Sequence, residues 1–176
     1  MTMTDSEAAR IVRSVLCRGL SVEQSDHITK AMIATAANPG NLVLREGDRP
    51  QGLFLLVKGT VEIVKEVDGD GEVIATIDAP TVLGEMSLIL AREASATVRA
   101  KTACEFRLLT RVQFERLISE DSLGAYKVVL ALAEVIARRL YRMDEKVLEL
   151  RGRRDGLRPV EELSEFKQKL FSEWSF

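Results

Sequence analysis

The residues of this chain best suited to chemistry lie between Leu83 and Ala100. Leu83-Gly84-Glu85-Met86-Ser87-Leu88-Ile89-Leu90 opens a short helix on a glycine, and Ala94-Ser95-Ala96-Thr97-Val98-Arg99-Ala100 follows at once as a strand. A glycine at the turn leaves the first amides of the helix uncovered, and amides at the positive end of a helix suit an anion. The carboxylate of Glu85 accepts hydrogen bonds from hydroxyl donors such as those of a sugar. This layout predicts a cradle for a phosphate and a ribose, which is binding chemistry rather than bond making. Two plainer readings stand beside it: Glu85 caps amides of its own helix, and the hydroxyls of Ser95 and Thr97 serve the strand.

Other chemistries lack their residues. The chain holds one histidine, His27, placed on an N-terminal helix, so neither a catalytic triad nor a multi-imidazole metal centre can be assembled. Cys17 and Cys104 sit in apolar surroundings, read as buried thiols, and are too few for a four-thiolate iron–sulfur cluster. No catalytic residue and no metal are expected, and the protein reads as a non-enzyme. With 25 basic and 27 acidic residues and a net charge of −2, the molecule has no overall electrostatic footprint for nucleic acid. The polar N-terminus and the lack of a long apolar run predict a soluble, cytoplasmic protein with no membrane contact.

The elements that must position the cradle follow from periodicity. A chain of 176 residues, 46% hydrophobic, suffices for one cored domain with an appendage. Ala8, Ile11, Val12, Val15 and Leu16 predict an amphipathic helix capped at Asp5 or Ser6. Ser21-Val22-Glu23-Gln24 fits a capping box opening a second helix, with Ile28, Met32 and Ile33 on its buried face. After the turn cluster Asn38-Pro39-Gly40-Asn41, strands are expected near 41–45, 52–57, 60–67, 72–78, 95–100 and 103–109, with a hairpin tip at Asp68-Gly69-Asp70-Gly71. Regular strands with glycine-bearing turns indicate an α+β, mainly β fold: an antiparallel β-roll or jelly roll flanked by N-terminal helices and a long C-terminal helix.

Helical periodicity returns at Arg111–Glu120, with Phe114, Leu117 and Ile118 inward, and again from Ser122 to Leu150. In the long helix Val129, Ala133, Ile136, Leu140, Met143, Val147 and Leu150 recur in alternating steps of 4 and 3, a heptad seam. Over its first half that seam either packs on the chain's own roll or meets a second copy; beyond Leu140 a parallel two-helix homodimer through 122–150 is expected. Arg151-Gly152-Arg153-Arg154-Asp155-Gly156 reads as a linker, and Pro159 opens a tail helix whose Leu163, Phe166, Leu170 and Trp174 share a face. That tail, 159–176, is the expected contact for a protein partner. The divisions read as 1–40, 41–110, 111–150 and 151–176.

Arg18-Gly19-Leu20-Ser21, Leu44-Arg45-Glu46-Gly47-Asp48, the run Leu53 to Ile63 through Lys58-Gly59-Thr60, and Gly84-Glu85 stand in one order. At these separations Cys17 to Leu150 resembles the cyclic-nucleotide-binding domain family of the catabolite activator protein and protein kinase A regulatory subunit type. The resemblance implies that Gly84 permits the turn and Glu85 binds the ribose 2′-hydroxyl. It further implies that the amides of Glu85, Met86 and Ser87 approach the phosphate, and that an arginine about nine residues after the glutamate neutralises it. Aligning Ala96-Thr97-Val98 with the strand after that arginine puts Ala94 at its position and Ser95 next. Charge-assisted bonds lost with a guanidinium are worth about 1.5–3 kcal/mol each, so affinity is expected to fall roughly a hundredfold or more. Arg92 either swings in to replace it or pairs with Glu93, and Arg99 has the parity of the outer surface.

The ligand-binding set is therefore Gly84, Glu85, Met86, Ser87, Arg92, Ala94, Ser95, Ala96 and Thr97, for a cyclic nucleotide such as cAMP or cGMP. In the family a residue of the C-terminal helices closes over the base, and Leu132, Ile136 and Trp174 are candidates here. The resemblance implies a small-ligand sensor or regulatory module; the alternative is a ligand-free dimeric scaffold. The residues after Leu150 are too few for a recognition helix with its support, so direct DNA binding is not expected.

Overall fold

The computed structural model describes residues 3–67, 70–120 and 123–152, with side chains to residue 66 and from 70 to 141. Two helices, α1 (Asp5–Leu16) and α2 (Val22–Ala31), precede eight strands: β1 (Ile33–Ala37), β2 (Leu42–Leu44), β3 (Gly52–Lys58), β4 (Thr60–Val67), β5 (Asp70–Asp78), β6 (Thr81–Leu83), β7 (Thr97–Ala100) and β8 (Cys104–Thr110). The short α3 (Glu85–Leu90) interrupts the strands between β6 and β7, and α4 (Arg111–Ser119) and α5 (Leu123–Gly152) complete the order. The strands form two antiparallel four-stranded sheets, β1-β8-β3-β6 and β2-β7-β4-β5, which face each other as the expected roll.

β3 explains how helices and roll share one core. Its apolar run alternates: Phe54 and Leu56 enter the space between the sheets with Ile63, Ile74, Val98 and Phe106, while Leu53, Leu55 and Val57 pack under the helices with Val12, Leu16, Ile28, Leu117 and Leu132. A strand buried on both faces reads as a continuous hydrophobic run, as Leu53-Phe54-Leu55-Leu56-Val57 does.

Three local expectations are corrected. Thr4, not Asp5 or Ser6, caps α1, because Glu7 lies three residues on and completes a reciprocal capping box. Ile33 leaves the second helix and starts β1 half exposed, since Ile33–Ala37 finds ladder partners from Leu108 to Cys104 on β8. β6 has no counterpart in the expected strands; its three residues are recruited by register against Phe54, Leu55 and Leu56 of β3. The capping box at Ser21 and Gln24 forms as read.

On α5 the inward stripe is Ala125, Val128, Leu132, Val135 and Arg139. The reading that the Val129 seam packs on the roll is corrected: that seam lies one position round, with Val129 37% and Leu140 57% exposed. The helix also runs through Arg151 and Gly152, two residues past the expected break. Asp70 and Gly71, expected in the hairpin tip, instead begin β5 opposite Val67 and Glu66. Asp68 and Gly69 of that tip, the side chains of Met143, Val147 and Leu150, and the rest of the linker with the tail helix and Trp174 lie outside the described residues.

Candidate functional site

Gly84 joins β6 to α3 in a conformation that a side chain would contest. Its φ is +79°, and a Cβ there would lie 2.9 Å from the carbonyl oxygen of Gly52. Glycine is needed for backbone sign and for space together. With no side chain to cap α3, the amides of Glu85, Met86 and Ser87 precede the first intrahelical bond, from Leu88 N–H to Gly84 O at 3.0 Å.

Glu85 is buried, 4% exposed, and its carboxylate accepts a hydrogen bond from Nη1 of Arg139 in α5. The second terminal nitrogen, Nη2, donates to the carbonyl of Val82 at 3.0 Å. Arg139 is itself 7% exposed. A buried carboxylate is tolerable because its countercharge is buried with it, and removing one partner of such a pair costs about 3–5 kcal/mol. Sequence reasoning missed Arg139. The available signal was an arginine at the end of the inward stripe Val128, Leu132, Val135, four residues past the last valine, in a chain whose key acid still needed a partner.

Gly84, Glu85, Met86, Ser87, Ala94, Ser95 and Ala96 line one cavity with Arg139, and its volume is about 50 Å³. Beside it lies an open hollow of about 630 Å³ that shares Met86, Ala94 and Ser95 and adds Arg49 and Arg92. Seven of the nine predicted site residues thus surround the cavity, and Arg92 stands on the wall of the neighbouring hollow. Thr97 lies one residue further along, where its hydroxyl oxygen accepts the amide of Glu46 at 2.9 Å. A further hollow of about 320 Å³ over Phe54 and Phe106 includes neither Gly84 nor Glu85, so size does not pick out the site and chemistry does.

The loop carrying Ala94 is fixed from two sides. Ala94 N–H donates to Asp48 O at 2.8 Å, and Ala94 O accepts from Gly47 N–H at 3.0 Å. Lys65 reaches the carbonyl of Ser95 at 2.7 Å and pairs with Glu46. Hydrogen bonding from Lys65 holds the Glu46 carboxyl below the usual carboxylate range. Arg99 points away from the cavity, bonding Glu62 at 2.8 Å.

Of the residues considered for covering a base, Leu132 is fully buried in the core under the helices and Ile136 is half-buried. His27 is exposed and 3.5 Å from Glu120. Among the described residues no helix is long and apolar enough to cross a membrane, and no group of three or more histidine, cysteine, aspartate or glutamate side chains is placed to hold a metal ion.

Known proteins are similar to this chain in sequence and in fold. The type II regulatory subunit of cAMP-dependent protein kinase from Drosophila melanogaster is 24% identical over 181 residues, covering 90% of this chain and 47% of that protein. The cAMP-activated global transcriptional regulator CRP of Salmonella typhimurium is 31% identical over 107 residues, 60% of this chain and 49% of the relative. The chain therefore spans about half the length of these curated relatives. A crystal structure of a cyclic nucleotide-binding domain from Methylobacillus flagellatus superposes with a TM-score of 0.73 at 25% identity, over 89% of this chain and 86% of that one. The family described as cyclic nucleotide-binding domain matches residues 35–121, a segment that runs from within β1 through the other seven strands, α3 and α4. Through that segment the chain belongs to the cyclic nucleotide-binding domain family.

Proposed function

We propose that the chain is a non-enzymatic, cytoplasmic sensor of a cyclic nucleotide, with affinity weakened because Ala94 stands where the phosphate arginine is expected. The observation that carries this reading is the buried Glu85 carboxylate at the start of α3, facing a cavity whose other charged wall is Arg139 of α5. The carboxylate suits a ribose hydroxyl and the uncapped amides suit a phosphate. The relatives named for cAMP make cAMP the first ligand to test and cGMP the second.

A cavity of about 50 Å³ is too small for a nucleotide, so binding requires space from the adjoining hollow or a shift of α5. Arg92, on the wall of that hollow, is then placed to approach the phosphate from outside. Ligand binding biases α5 only to the extent that the nucleotide prefers one placement of Arg139 over another. The outward seam on α5 is the proposed homodimer contact, 122–150 its extent, and the 159–176 tail a partner contact; 41–110 serves as the ligand core, between 1–40 and 111–150.

The alternative, a ligand-free dimeric scaffold, draws support from Ala94 and from the small volume. Calorimetric titration of the full chain with cAMP and cGMP, alongside Ala94→Arg, separates the two. The sensor predicts weak binding by the parent and an affinity about a hundredfold higher in the variant. No heat of binding from either protein favours the scaffold.

A further inference from the structure

We infer that Arg111 is a positioning residue that ties the far end of α3 to α4, so that arginines from both C-terminal helices hold the two ends of α3. The inference rests on the reading of α3 as the ligand-facing helix and extends it to how movement leaves the site.

α3 is six residues long and ends on Ala91 in a left-handed conformation, φ +53°. A helix this short has no internal partners for the carbonyls of its last turn, Ser87 to Leu90. Arg111 supplies some: its Nη2 donates to Leu88 O at 2.9 Å and to Ser87 O at 3.4 Å. The guanidinium suits this place because it is always charged and presents several donors in one plane. Its base is fixed, since the Arg111 amide donates to Gln51 O at 3.1 Å and Thr110 with Gln113 makes a capping box that seats Arg111 as the first residue of α4. Glu115 steadies the other terminal nitrogen, Nη1, at 3.4 Å.

At the opposite end of α3, Glu85 is bound to Arg139 of α5. Phe114 and Leu117 of α4 share a packed cluster with Ala125, Val128 and Leu132 of α5. The three helices thus form a closed ring in which α3 cannot shift without straining its tie to α4, its tie to α5, or both.

The test is hydrogen–deuterium exchange on the full chain without nucleotide, so its result stands apart from whether any nucleotide binds. Arg111→Ala is expected to speed exchange of the α3 amides by roughly three- to tenfold, as loss of charge-assisted bonds does, and to speed exchange of α5 around Arg139 as well. In the Glu85→Gln background the same change is expected to loosen α3 but to leave α5 unaltered, because the α3–α5 tie is already weakened. Arg111→Lys, which keeps the charge and one reach to a carbonyl, is expected to restore part of the protection. Unchanged α5 exchange in Arg111→Ala, or an equal α5 effect in both backgrounds, overturns the inference. The equal effect would route the influence through α4–α5 packing instead. Should Arg111→Ala lose its fold by circular dichroism, Arg111→Gln is measured against the same outcomes.

Discussion

At the scale of single residues, Gly84 and Glu85 are adjacent yet constrained by different physics. Gly84 is dictated by a positive φ and a near contact with Gly52 O, whereas Glu85 is dictated by a buried cation contributed from far along the chain. Gly84→Ala is expected to lose about 2 kcal/mol from backbone strain and crowding, lowering the melting temperature by roughly 4–8 °C in a scan of the two proteins. An unchanged melt would mean that the turn relaxes. The glycine turn and the acid beside it were legible in the sequence because both belong to a short contiguous pattern. Arg139 and Arg111 were not: they lie 54 and 26 residues from Glu85, and only the packing of α4 and α5 onto the roll brings them to α3.

At the scale of elements, the loop between α3 and β7 is held where the site meets the open hollow. Its anchor is Lys65, bridging Glu46 and Ser95 O. The Glu46 carboxyl is lowered from an ordinary value of 4.5, first by the Lys65 hydrogen bond. A carboxyl that binds protons less tightly when folded lets the unfolded chain take up protons first as pH falls. The stability from this tie is therefore complete above the ordinary carboxylate range and is lost as pH drops through the lowered folded value. Melting temperatures measured from neutral to acid pH are expected to fall less steeply in Glu46→Gln than in the parent, and parallel profiles would refute the assignment. Elements with clean local periodicity, such as α1 and the β4–β5 hairpin, were readable from the chain. β1 was not, because Ile33-Ala34-Thr35-Ala36-Ala37 has weak local preference and becomes a strand only through the β8 ladder.

At the scale of the whole molecule, α5 has two apolar faces that the sequence pattern alone did not separate. The stripe from Ala125 to Val135 belongs to the core, and the offset stripe of Tyr126, Val129, Leu130, Leu140 and Tyr141 is exposed. A row of large apolar side chains on one exposed helix face is covered most simply by the same face of a second copy. Sedimentation is expected to show a dimer that dissociates in Val129→Glu/Leu140→Glu; a monomeric parent would contradict the seam. The same helix presents Arg139 inward to Glu85, so the proposed dimer contact and the candidate site share one element. The most direct test of the central claim is amide chemical-shift mapping of the full chain during titration with cAMP. The account predicts saturable shifts concentrated at 84–90, at 94–97 and around Arg139; an absence of shifts at high nucleotide concentration, or shifts confined to residues remote from Glu85, would contradict it.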